Sequence, residues 1–151
     1  MTSDRVFGLG GRVAAVIGAG SGIGEAVAHG CARQGATVRC LDVNGDAASA
    51  TAEAIAAEGG VADAARLDIT DATSVADALD QVMARHGGLD IVVSTPGVNV
   101  RKPILDYTDA DFDRVVGLNL KGSFNVLREA GRIMTARGRG SIILFSSIRA
   151  Q

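Results

Sequence analysis

Apolar and polar positions along the chain follow two alternating rhythms. Val13-Ala14-Ala15-Val16-Ile17 is an unbroken apolar run that ends in glycines, the mark of a short strand buried on both faces. Beyond those glycines, Ile23, Ala26, Val27, Gly30 and Cys31 recur at i, i+3, i+4, i+7 and i+8, which is one face of a helix. The pair then repeats. Strands are predicted over 12–17, 36–42, 61–67, 89–93 and 141–145, and helices over 22–34, 45–58, about 71–86 and 109–137. Gly35, Gly59-Gly60, Gly87-Gly88 and Gly138 close the helices. Asp71 or Thr70 suits the cap of the third, whose apolar face is Val75, Ala78, Leu79, Val82 and Met83. A loop holding both prolines, Pro96 and Pro103, precedes the long fourth helix. Regular β-α-β alternation with right-handed crossovers implies an α/β fold, a doubly wound parallel sheet with helices on both faces. A ligand then belongs beyond the C-terminal ends of the strands, where strand order reverses.

Composition narrows the class. A chain of 151 residues, 47% apolar and 21% charged, fits one soluble globular domain over 1–151. A net charge of −2 offers no electrostatic case for nucleic acid or an anionic membrane. The opening Met1-Thr2-Ser3-Asp4-Arg5 leads into no long apolar run, so neither a signal peptide nor a spanning segment is expected, and the cytoplasm is the default compartment. Cys31 and Cys40 lack metal-ligand spacing and read as small buried residues. His29 and His86 fall near helical surface positions and are assigned no chemistry, and no metal is expected.

The chemistry begins at the first turn. Gly18, Gly22 and Gly24 are spaced G-x-x-x-G-x-G, with Ser21 and Ile23 between them. Strand, glycine turn and helix together make a phosphate cradle: unpaired N–H groups and the positive end of the helix dipole face outward, and glycines let a diphosphate approach the backbone. Asp42 ends the second strand, 18 residues after Gly24. A carboxylate there accepts hydrogen bonds from adenosine ribose hydroxyls and repels a 2′-phosphate. The neutral neighbours Val43 and Asn44, and a glycine turn without Arg or Lys, favour NAD(H) and leave NADP(H) open. On the long helix, ten apolar residues from Phe112 to Met134 cover an arc of roughly 240° at ~100° per residue, and Asn119 projects inside it. A buried amide must be hydrogen-bonded, so Asn119 either ties two elements together or serves a site. Arg114, Lys121, Asn125, Arg128 and Arg132 fill the polar remainder.

The G-x-x-x-G-x-G spacing resembles the short-chain dehydrogenase/reductase (SDR) family, whose members bind NAD(P) in a Rossmann-type sheet of strand order 3-2-1-4-5. The family usually places Thr before the first glycine, where this chain has Ile17. The resemblance implies that Asp68-Ile69, after the third strand, contacts adenine. It also implies that the loop after the fourth strand lines the cofactor. Of the family's Asn-Asn-Ala-Gly there, only Gly97 is kept in Ser94-Thr95-Pro96-Gly97, and Ser94 remains a candidate contact. Asn119-Leu120-Lys121-Gly122 matches the family's N-x-x-G, whose Asn holds a water in a proton relay. Gly140 to Phe145 resembles the run into the catalytic serine, which matches Ser147, with Ser146 the fallback; its hydroxyl would stabilise charge on the substrate oxygen. The family's acid/base, a Tyr-x-x-x-Lys, would lie downstream, and the chain stops at Gln151 before it, so these residues are expected to be an incomplete domain without turnover of their own. The only tyrosine, Tyr107, precedes the long helix.

The resemblance further implies a small-molecule alcohol or ketone substrate, and a homodimer or homotetramer formed through helix 109–137. Asn99-Val100-Arg101-Lys102-Pro103 looks like sugar-acid dehydrogenases of the family, but a solvated basic pair is the better account of Arg101-Lys102. Two other readings remain: a dinucleotide-binding module without catalysis, and a methyltransferase, which also places a carboxylate after the second strand. The fifth strand, with Ile142, Ile143, Leu144 and Phe145, is expected to leave an open apolar edge.

Overall fold

The computed structural model describes residues 8–147; the opening Met1-Thr2-Ser3-Asp4-Arg5 lies outside them. Five parallel strands form one sheet in the order β3-β2-β1-β4-β5: β1 Val13–Ile17, β2 Thr37–Asp42, β3 Val61–Arg66, β4 Ile91–Ser94 and β5 Ser141–Leu144. Helices α1 Gly22–Arg33, α2 Gly45–Ala57, α3 Ala72–His86, α4 Asp109–Val116 and α5 Ser123–Arg137 cross between them. The order reverses between β1 and β4, which places a crevice at their C-terminal ends.

The apolar runs explain the layering. β1 is buried along its whole length because both faces are covered. One face, Val13, Ala15 and Ile17, packs with Leu41 beneath α3 and α5; the other, Ala14 and Val16, packs with Val38 and Cys40 beneath α1 and α2. Burial pushes the Cys40 thiol up to about 12, with Asp63 adding to the effect and Arg39 opposing it. β5 is the edge, and Ile143, Leu144 and Phe145 remain exposed there.

Two sequence expectations shift. β4 starts at Ile91 rather than 89, because Asp90 anchors the strand entrance: its Oδ2 accepts the Val13 amide at 3.0 Å, and Arg12, Arg137 and Arg139 surround the carboxylate. The long helix is not uniform. Between α4 and α5 the helical path continues through a six-residue π-helical stretch, Gly117–Gly122. Its i→i+5 bonding changes the phase of everything downstream. The face turned to the sheet is Gly122, Asn125, Val126, Glu129, Ala130, Ile133 and Met134, a regular i, i+3, i+4, i+7 series. Phe112, Leu120, Phe124 and Leu127 are exposed. The wide apolar arc was therefore two faces, one against the sheet and one against solvent.

The two histidines are also more enclosed than surface positions would be. His29 faces Glu58 at 3.2 Å, and His86 faces Asp63 at 3.3 Å, both from largely buried rings. Asp63 in turn pairs with the buried Arg39. Among the described residues, no helix is long and apolar enough to cross a membrane.

Candidate cofactor site

A cavity of about 550 Å³ opens at the C-terminal ends of β1, β2, β3 and β4. Its walls are four segments far apart in sequence: the glycine turn with Gly18, Ser21, Gly22, Ile23 and Gly24; Asp42-Val43; Leu67 to Thr70; and Thr95 to Gly97, with Leu118 closing one side.

The turn is shaped by its glycines. Gly18 and Gly22 have φ of +83° and +58°, the left-handed region that other residues avoid. A methyl on Gly24 would collide with the Gly18 carbonyl, so only glycine lets α1 start this close to β1. A methyl on Gly22 would meet nothing and would project into open space. No side chain caps α1: the Ser21 hydroxyl does not bond its first turn, and the first intrahelical bond runs from the Glu25 amide to the Ser21 carbonyl at 3.3 Å. The N–H groups of residues 22–24 precede that bond and are donors for an anion. Thr51, buried in α2, donates to the Ala19 carbonyl at 2.8 Å and steadies the turn from behind.

Asp42 faces the same turn. Its Oδ2 accepts the Gly20 amide and its Oδ1 the Asn44 amide, both at 2.9 Å. Each oxygen keeps acceptor capacity for a hydroxyl. Arg66 is its register partner on β3 but does not line the cavity. Beside it, Asp68 accepts the Thr70 hydroxyl at 2.7 Å and amide at 2.9 Å, and these two bonds hold its carboxyl below the usual range.

The remaining predicted residues are distributed differently. Ser94 is the last residue of β4, paired with Ile17, and is buried within the sheet; it does not line the cavity. Thr95 does, and its hydroxyl donates to the Ile17 carbonyl at 3.1 Å, joining the ends of β4 and β1. Asn119 is exposed rather than buried, and its amide pairs twice with one backbone unit: Nδ2 donates to the Val98 carbonyl and Oδ1 accepts the Val98 amide, each at 2.8 Å. Of the two roles open to it, the geometry displays the tie between elements. Ser147 is exposed beyond β5 and is not part of this cavity. Lys102 pairs with Asp111 and lies 5.7 Å over the Tyr107 ring, so it braces the loop ahead of α4. Lys102, followed by the Thr108 cap, holds the Asp111 carboxyl well below its ordinary value.

Asn125 is the residue that sequence reasoning placed on the polar side and the structure places inside. It is buried, and Nδ2 donates to the Ile69 carbonyl at 2.9 Å. Its spacing from Gly122, Val126 and Glu129 was the signal that would have found it.

The sequence model described as "short chain dehydrogenase" matches residues 12–151. The chain belongs to the short-chain dehydrogenase family. D-threitol dehydrogenase of Mycolicibacterium smegmatis is 35% identical over 147 residues, which cover 97% of this chain and 56% of that protein. Elsinochrome reductase 1 of Elsinoe fawcettii is 41% identical over 144 residues, 95% of this chain and 53% of that one. This chain thus spans about half the length of the curated relatives it matches. Among solved structures, a short-chain type dehydrogenase/reductase from Mycobacterium marinum superposes with a TM-score of 0.93 at 35% identity, over 98% of this chain and 60% of that one. A 7α-hydroxysteroid dehydrogenase complexed with NADH and 7-oxo glycochenodeoxycholic acid superposes with a TM-score of 0.92 at 35% identity, over 99% of this chain and 58% of that one.

Proposed function

We propose that this chain is the nicotinamide-dinucleotide-binding part of an oxidoreductase that passes hydride between a secondary alcohol or ketone and its cofactor, with NAD(H) preferred over NADP(H). The observation that carries the reading is the convergence of uncapped α1 amides, the Asp42 carboxylate and the Asp68-Ile69 floor on one cavity of about 550 Å³. The residues fit the group. The amides of residues 22–24 would receive the diphosphate, Asp42 the adenosine ribose, and Asp68-Ile69 the adenine. Gly97 would border the nicotinamide half. Ser94 would act through the β4 end that carries Thr95. When bound, the nicotinamide supplies the hydride acceptor or donor.

The preference for NAD(H) follows from charge: Asp42 lines the cavity and repels a 2′-phosphate, and Arg66, its register partner, is not among the lining residues. On the substrate side, Ser147 would hydrogen-bond the reacting oxygen and stabilise developing charge. Asn119, with its side chain engaged at Val98, would serve a proton relay by fixing that loop. The exposed stripe of Leu120, Phe124 and Leu127 supports self-association through the α4–α5 path as a dimer or tetramer.

Tyr107 donates its hydroxyl to the Val100 carbonyl and so serves the loop ahead of α4. Calorimetric titration of the 151-residue chain with NADH, NADPH and S-adenosylmethionine tests the proposal. Saturable NADH binding tighter than NADPH is expected; binding of S-adenosylmethionine alone overturns it. An absorbance assay with NAD and a panel of secondary alcohols is expected to give no turnover from these residues by themselves.

A further inference from the structure

Ile69 is a wall of the cavity and nearly fully buried, and it is gripped twice by one face of a distant helix. Asn125 holds its carbonyl at 2.9 Å. Gly122, one turn earlier on the same face, leaves a notch for its side chain: a methyl there would stand 2.7 Å from both Ile69 Cγ1 and Cδ1. Main chain and side chain of one cavity residue are therefore both set by α5 and the turn before it. A buried asparagine is costly unless bonded, and the bond it makes ends on this one carbonyl.

The other end of the segment is tied to the site as well. The Leu67 amide donates to the Asp42 carbonyl at 2.8 Å, and Asp68 is closed on itself by Thr70. Residues 67–70 thus hang between Asp42 on the sheet and Asn125 on the helix. A change in the helix grip acts first on the floor beside Asp42, whereas the far side of the cavity, at Gly97, is held through a different residue, Asn119, by its two bonds to Val98.

We infer that Asn125 and Gly122 are positioning residues for the adenosine half of the site: they fix Ile69, and through it the floor against which the adenine would lie. The inference rests on the dinucleotide reading above. Asn125 touches no cofactor and acts through the Ile69 backbone; Gly122 acts by the absence of a side chain.

The test separates the two halves of the ligand. Wild type, Asn125→Ala and Gly122→Ala are titrated with ADP-ribose, which carries the adenosine half, and with reduced nicotinamide mononucleotide, which carries the other. With the Ile69 floor released, the dissociation constant for ADP-ribose is expected to rise by about tenfold in both variants. The mononucleotide is expected to bind all three proteins within about twofold. Gly122→Ala removes no hydrogen-bonding group and presses on Ile69 directly, so it tests the notch apart from the amide, and circular dichroism establishes which variants are folded. Unchanged ADP-ribose affinity in a folded variant overturns the inference and leaves the dinucleotide reading intact. Equal loss of both probes also overturns it, because the effect would then be global. A wild-type protein that binds neither NADH nor ADP-ribose overturns the reading itself, and the inference with it.

Discussion

The Asp42 carboxylate accepts the Gly20 amide at 2.9 Å, closing the gap between the end of β2 and the middle of the glycine turn. A methyl on Gly20 would stand 2.9 Å from that carboxylate oxygen and 2.8 Å from the Ala47 Cβ, so the contact exists only because residue 20 has no side chain. The acid that would select the ribose is thereby held in place before any ligand arrives.

Asp42→Ala removes both the ribose acceptor and the charge facing a 2′-phosphate. Hydrogen bonds to charged groups contribute about 1.5–3 kcal/mol, so NADH affinity is expected to fall by about tenfold or more. NADPH affinity is expected to fall less or to rise. Parallel calorimetric titrations measure the ratio, and an unchanged NADPH-to-NADH ratio counts against Asp42 as the selector.

Gly22 and Gly24 are expected to fail in different ways when changed to alanine. At Gly24 the new methyl strikes the Gly18 carbonyl, and overpacking of this kind costs about 1–3 kcal/mol, visible as a lower urea midpoint. At Gly22 the methyl meets no protein atom, leaving only the left-handed backbone cost of about 1–2 kcal/mol. It would, however, occupy the space a diphosphate needs. NADH affinity should therefore fall further for Gly22→Ala than its change in stability accounts for.

Arg132 links α5 to α3: it reaches Asp80 of α3 at 2.7 Å and Glu129, on its own helix, at 3.0 Å. Arg132, and then Arg128, lower the Glu129 carboxyl from its ordinary value. A folded-state value below the unfolded one means the stabilisation is complete above the unfolded value, about 4.3, and is lost as pH falls through the folded one. Arg132→Leu is expected to raise the Glu129 titration, followed by carboxyl NMR. It should also move acid unfolding to higher pH. No movement in either would show that Arg132 does not stabilise the Glu129 carboxylate.

Self-association predicts a position-specific effect. Phe124→Glu places a charge in the exposed stripe without touching the buried face of α5. Sedimentation velocity is expected to show an assembly for wild type and a monomer for the variant, with similar melting. A monomeric wild type refutes the assembly.

The architecture was legible because β1, with five apolar residues between glycines, leaves little choice of layer, and the βα rhythm then orders the other strands. The glycine turn and Asp42 were legible as neighbours at one cavity for a similar reason: their positions follow from the strand ends, which spacing encodes. Ser94 was harder to place than Thr95. One residue decides which side chain ends in the sheet and which at the mouth, and that depends on the β1–β4 register. Asn119 and Asn125 exchanged burial because a constant 100° step fails across the π-helical stretch. No local residue preference announces that stretch, and the partners of the two asparagines, Val98 and Ile69, come from elsewhere in the chain.

That stretch also has a mechanical meaning. At an unbroken α-helical pitch, Asn119 would share the side of Gly122 and Val126 and point down at the sheet. The wider turn works as a half-step in a screw thread. It lets one rod present a notch and an amide to the sheet at Ile69, and a second amide sideways to Val98. Removing a single residue between 117 and 121 would bring the thread back into step, and one of those two asparagines would lose its partner.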